Sequence, residues 1–118
     1  MEKGKKYDLE ERAYVFARDV RSFIKKLPHN TINYEDGKQL VRSSGSIGAN
    51  YIEANEALGK KDFLFHLRIS RKEAKESAYW LRLIKDGNPE EYIKEAEKLF
   101  SEANELKLIF SSIIDKSK

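Results

Sequence analysis

The chain has no cysteine, and only two prolines, six glycines, two histidines and one tryptophan among its 118 residues. The missing cysteine excludes thiolate metal sites, disulfide frameworks and cysteine nucleophiles. Scarce proline and glycine leave few turn signals and suit long helices. No apolar run outlasts Ala13 to Ala17, far short of the roughly 20 residues that a membrane span requires. Residues Met1 to Lys6 place no apolar segment behind their charges, which argues against a signal peptide. The expectation is a soluble, cytoplasmic protein. Neither sign of charge dominates: 23 Lys and Arg stand against 20 Asp and Glu, for a net charge of +3. A pI near 9.0 is a weak pointer to a polyanionic partner. The length fits one domain over 1–118, with an ordered core over about 8–114. Such a domain buries enough surface to fold without covalent or metal staples.

What the sequence has in abundance is helical periodicity. Asp8, with Glu11 three residues on, reads as a capping box. Behind it Leu9, Ala13, Phe16, Val20, Phe23 and Leu27 recur at steps of four and three, one face of a helix that Pro28 ends. Asn33 reads as the cap of a second helix with the stripe Leu40, Ser44, Ile47, Tyr51, Ala54 and Leu58, closed by Gly59. The third carries Phe63, Leu67, Ser70, Ala74, Ser77, Leu81 and Ile84 and stops at Gly87. Asn88-Pro89-Glu90-Glu91 reads as a start for the fourth, whose stripe is Tyr92, Ala96, Leu99, Ala103, Leu106, Phe110 and Ile113. The spacing predicts helices over 8–27, 34–58, 61–86 and 89–114. With short connections these make an all-α, antiparallel, up-down-up-down four-helix bundle.

Two helices carry more uncharged surface than one bundle can bury. No charge occurs from Ser43 to Ile52, where a surface helix would place several. Gly45 and Gly48 each cost about 1 kcal/mol inside a helix, and close approach of another backbone would explain them. In the third helix, Phe65, Ile69, Trp80 and Leu83 widen the apolar arc to about 200°, twice what one core face needs. The expected subunit interface therefore comprises Ser43, Gly45, Ser46, Gly48, Asn50, Ile52, Phe65, Ile69, Trp80 and Leu83.

Catalytic patterns are missing. No Glu-x-x-His occurs, so a di-iron bundle site is not expected, and neither phosphate-binding glycine motif is present. His66 stands alone and reads as a surface or packing residue rather than a ligand. Glu53, Glu56, Glu73 and Glu76 read as members of ion pairs or interface networks rather than as acid/base groups, because Glu53 and Glu76 have arginines, Arg42 and Arg71, near them on the facing helices. No metal, cofactor or small-molecule substrate is expected, and no enzyme. The third helix is more informative: eight basic residues lie between Lys60 and Lys85 against Asp62, Glu73 and Glu76. Lys61, Arg68, Lys72, Lys75 and Arg82 fall within about 80° of one another, opposite the core stripe. They form either a solvated face or a surface for phosphates. No exposed aromatic ladder is expected beside them, so base stacking and sequence readout are not.

The segment Gln39-Leu40-Val41-Arg42-Ser43-Ser44-Gly45-Ser46-Ile47-Gly48-Ala49-Asn50-Tyr51-Ile52-Glu53-Ala54 resembles the second-helix signature of the four-helix bundle family found in intervening sequences of bacterial large-subunit ribosomal RNA genes. Lys60-Lys61-Asp62-Phe63 and Lys72-Glu73-Ala74-Lys75-Glu76-Ser77-Ala78-Tyr79-Trp80-Leu81 resemble its third-helix signature. The likeness runs over about residues 8–114. Many members read Glu-Gly where this chain has Glu53-Ala54, and serine is common where Gly59 stands. The resemblance implies a ring-forming bundle, typically a homopentamer. It also implies kinship with the basic pentameric accessory proteins of diversity-generating retroelements, which bind nucleic acid. A non-enzymatic, oligomeric nucleic-acid-binding protein, RNA favoured over DNA, is the expectation. The alternative is a protein-interaction scaffold that binds no nucleic acid.

Overall fold

A computed structural model describes the backbone of residues 2–118 and the side chains from Leu9 onward. Four helices follow one another: α1 (Glu2–Lys26), α2 (Thr31–Asn55), α3 (Lys60–Asp86) and α4 (Ile93–Ser117), with a single 3-10 turn, Glu90–Tyr92, ahead of α4. No strand occurs among the described residues. Contacts run antiparallel between neighbours. Along α2, Ser43, Ile47 and Asn50 meet Ser77, Ser70 and His66 of α3 in descending order. Arg12 and Lys26 of α1 likewise meet Glu102 and Glu95 of α4. The fold is the expected four-helix bundle.

The α1 stripe is buried throughout, from Leu9 to Leu27. In α4, Ala96, Leu99, Ala103, Leu106 and Phe110 are buried as read, with Ile114 deeper than Ile113. Tyr51 meets Phe110 edge-on, with ring centres 5.8 Å apart. In α3 the core widens on both flanks to take in Leu64, Glu73 and Ala78. The reason is position: α3 packs extensively against both α2 and α4.

The helix ends differ from expectation. α1 begins at Glu2, so position 8 lies inside it rather than at its cap. The Asp8 side chain falls outside the described residues. The cap of α2 is Asn30, whose Oδ1 accepts from the Asn33 amide at 2.8 Å. Asn33 itself is buried, and its Nδ2 donates to Pro28 O and to Asn88 Oδ1, both at 2.8 Å. Asn88 returns the bond, its Nδ2 donating to Asn33 Oδ1 at 2.9 Å and to Ile84 O at 2.9 Å. Asn88 therefore serves the end of α3, not the start of α4. Because α2 ends at Asn55, Leu58 leaves the core stripe and stands fully exposed. Gly59 opens α3 in an extended conformation instead of closing α2.

Candidate nucleic-acid interface

Lys61, Arg68, Lys75 and Arg82 are spaced by seven residues along α3. Seven residues fall about 20° short of two full turns, so such a row drifts slowly around the helix while staying on one side. At 1.5 Å per residue the four span roughly 31 Å. Lys72 sits one turn above Arg68. All five are exposed. None of the five forms an ion pair or hydrogen bond with another side chain among the described residues. Some other cations are committed, while Lys25, Lys60, Arg71, Lys94, Lys98, Lys107 and Lys116 also join no ion pair among the described residues. Arg12 grips Glu102 with two hydrogen bonds of 2.6 and 2.9 Å and reaches Glu105 at 3.1 Å. Lys26 pairs with Glu95 at 3.1 Å, and Lys85 with Glu97 at 3.6 Å. The Glu102 hydrogen bond is the main reason that the Arg12 guanidinium is held charged beyond its ordinary range.

The flank of α3 toward α2 has the opposite character. Glu73 is 6% exposed, and its Oε1 and the Trp80 Nε1 are buried without hydrogen-bond partners. Arg42 bridges Glu73, 3.5 Å away, and Glu76. Burial pushes the Glu73 carboxyl above its usual range, Glu76 adds to this, and Arg42 opposes it. Burial works against the Arg42 charge, but the two glutamates outweigh it and raise its pKa. These acids are thus an ion-pair network, as expected for Glu76. Glu53 and Arg71 join no ion pair among the described residues. His66 Nδ1 lies 3.0 Å from Asn50 Oδ1, a packing role as read.

The residues expected at a subunit interface do not share one environment. Ser43 is fully buried, its hydroxyl 2.8 Å from Ser77 Oγ, so it faces α3 of its own chain and cannot meet a neighbour. Gly45 and Gly48 face α1. A Cβ on Gly48 would lie 3.4 Å from the Ala13 Cβ, and one on Gly45 would lie 3.2 Å from the Arg21 guanidinium. Both therefore face α1 of the same chain, Gly48 at ordinary contact distance from Ala13 and Gly45 beneath the end of the Arg21 side chain. Asn50 and Ser46 bond to each other. Ile52, Phe65 and Leu83 remain 45%, 56% and 40% exposed, while Ile69 and Trp80 are half-buried.

A match to the sequence model of the 23S rRNA-intervening sequence proteins covers residues 5–112. The chain belongs to this family. The fold also matches the crystal structure of a protein of unknown function from the S23 ribosomal protein family of Bacteroides thetaiotaomicron. That match has a TM-score of 0.79 and 33% identity, and covers 90% of this chain and 97% of that one. No curated protein matches.

Two features escaped the sequence reading. Tyr79 and Phe65 are 55% and 56% exposed on the outer face of α3, so the basic row does have aromatic neighbours. Fourteen residues put them about 21 Å apart, too far for a stacking ladder. The second feature is a groove of about 590 Å3 between α1 and α2, floored by Ala13, Ala17, Gly45, Gly48, Ala49 and Ile52. The uncharged run in α2 was its visible half. Among the described residues, no helix is long and apolar enough to cross a membrane, and no three acidic or histidine side chains converge to hold a metal ion.

Proposed function

We propose that this chain is a non-enzymatic, homo-oligomeric nucleic-acid-binding protein, directed to RNA more than DNA, that grips the phosphate backbone with the basic row of α3. The observation that carries the reading is the alignment of five exposed, uncommitted cations in one row along α3. Lys61, Arg68, Lys72, Lys75 and Arg82 are exposed and, among the described residues, unpaired, whereas Arg12, Lys26, Arg42 and Lys85 are engaged within the bundle. Unpaired cations in a row are what counterion release by a polyanion requires. Membership of a family named for intervening sequences in 23S rRNA favours RNA as the polyanion. Phosphate contacts fix position and carry little sequence information, so binding is sequence-tolerant. Repetition of the row on an oligomer adds weak contacts through avidity.

The test is a salt titration of fluorescence anisotropy with a labelled structured RNA and a labelled duplex DNA. Affinity is expected to fall steeply with salt, each phosphate contact contributing about 0.7–0.9 to the logarithmic slope. Arg68→Glu with Lys75→Glu, two exposed positions one heptad apart, should abolish binding and leave helicity unchanged. If neither nucleic acid binds near physiological salt, or the double reversal binds like the parent, the protein is a scaffold instead.

A further inference from the structure

The third helix repeats itself. Lys61, Asp62, Phe65, His66, Leu67 and Arg68 recur fourteen residues later as Lys75, Glu76, Tyr79, Trp80, Leu81 and Arg82. The two repeats are also built alike in three dimensions. Leu67 and Leu81 are fully buried and pin the helix to the core. Beside each leucine a half-buried inner ring meets an outer ring edge-on. Phe65 and His66 have centres 5.1 Å apart at 77°, and Tyr79 and Trp80 have centres 5.2 Å apart at 73°. The outer rings, Phe65 and Tyr79, stay 56% and 55% exposed. The acid of each repeat is turned aside: Asp62 Oδ1 lies 3.5 Å from His66 Nε2, and Glu76 is held by Arg42. What each repeat leaves on the outer surface is therefore a ring with a cation one turn to either side.

Cation, ring, cation is also the order of a nucleic-acid strand, in which a phosphate precedes and follows every base. We propose that Phe65 and Tyr79 are two base-stacking platforms, so that α3 takes unpaired RNA, with one base on each ring and its phosphates on the flanking cations. This rests on the phosphate-binding reading and names the form of RNA that the row selects. Helix geometry supports the register. At about 100° per residue, Tyr79 falls inside the arc of the five cations and Phe65 about 20° beyond its edge. The flanking cations lie about 6 Å and 4.5 Å along the helix from each ring. Rings about 21 Å apart cannot hold consecutive bases, so each anchors its own. Lys72, between the repeats, is placed for the phosphates that connect them. Bases inside a duplex are stacked on their neighbours and offer no free face, so only an unpaired stretch can use both rings. Every base has such a face, so stacking keeps binding sequence-tolerant.

The experiment compares two labelled RNAs by fluorescence anisotropy. One is an unpaired strand of about a dozen nucleotides, which at roughly 3.4 Å per nucleotide outspans the two rings. The other is an RNA duplex of the same length. Phe65→Leu with Tyr79→Leu removes both rings but keeps apolar bulk and all five cations. Affinity for the unpaired strand should fall at least about fivefold, the contribution of one stacked base, with the salt slope and the duplex affinity unchanged. A smaller loss overturns the proposal. So does an equal loss on the duplex, or a shallower salt slope, since the rings would then only position the cations. Circular dichroism and light scattering check that the variant keeps the parent's helicity and mass. Should it lose either, the unaltered protein decides. An abasic strand with the same phosphates should bind it at least about fivefold more weakly than the complete strand, and a smaller difference overturns the proposal. A parent that holds RNA with a steep salt slope but ignores the bases strikes the stacking alone. A parent that binds neither RNA strikes the nucleic-acid reading and the stacking with it.

Discussion

The two flanks of α2 are built from equally small residues and reach opposite results. Toward α3, Ser43 and Ser77 share a buried hydrogen bond of 2.8 Å, and Ser70 Oγ donates to the Ile47 carbonyl at 2.8 Å. Each of these hydroxyls spends its hydrogen bond inside the contact, so the helices close together there, and the unpartnered Glu73 Oε1 and Trp80 Nε1 lie on the same flank beside the serine seam. Toward α1, glycine replaces serine, and Gly45 and Gly48 sit under Arg21 and Ala13. Here the helices part outward into the groove of about 590 Å3. At its far edge α1 is held to α4 by Arg12 and Lys26, that is, by charge. Small side chains permit close approach, but a tight seam also needs groups that bond across it.

The sharpest way to break this contrast is Ser43→Leu. Overpacking and the stranded Ser77 hydroxyl should together cost about 3 kcal/mol. Urea denaturation measures it, and a loss below about 1 kcal/mol would mean that the seam has slack. Next is Arg12→Ala on the looser side. Arg12 is 37% exposed, so its ion pairs are worth only about 1 kcal/mol after solvent screening. Amide exchange should quicken selectively in α1, and added salt should shrink the effect. Gly48→Ala should be neutral or stabilise by less than about 1 kcal/mol, since helix propensity favours alanine and its Cβ meets Ala13 at ordinary contact distance. A clear loss of Tm would show the α1 flank to be as tight as the other.

The smallest effect is pH-dependent and belongs to the sealed side. Burial raises the Glu73 pKa in the folded chain. A raised carboxyl favours folding below its unfolded pKa, and that contribution is lost as pH rises through the folded value. Glu73→Gln should therefore be slightly more stable than the parent at neutral pH, with the two Tm curves converging in acid. Parallel curves would mean that Glu73 titrates normally.

The bundle was legible because α1 and α4 place Leu, Phe and Ala at core positions at nearly every step of four and three, and each faces only one partner direction. The same rule placed the basic row: residues opposite a core stripe are exposed wherever no second body covers them. What failed was everything decided across the fold. Asn30 and Asn33 are equally good caps, and the choice falls to Asn88, whose amide claims the Asn33 side chain from 55 residues away. Glu73 read as one of several acids of ion pairs or interface networks, with nothing to mark it as buried, but α3 packs on both flanks and takes it in. Ser43 read as interface because it is small and uncharged, and sequence does not say which helix a small residue admits. For the site, the basic half was visible on one helix, whereas the groove needs α1 and α2 together.

The Asn33–Asn88 pair joins the loop between α1 and α2 to the turn between α3 and α4. It binds two helical hairpins that are otherwise separate stretches of chain. Parting them would break both hydrogen bonds of this reciprocal amide pair along with the α2–α3 packing, so the hairpins should melt in one transition, with calorimetric and van't Hoff enthalpies in agreement. The opposite end of the bundle, where the α2–α3 loop and the chain termini gather, is then where local opening begins. A molecule so polarised unzips from one end, as a book does from its fore-edge while the spine holds.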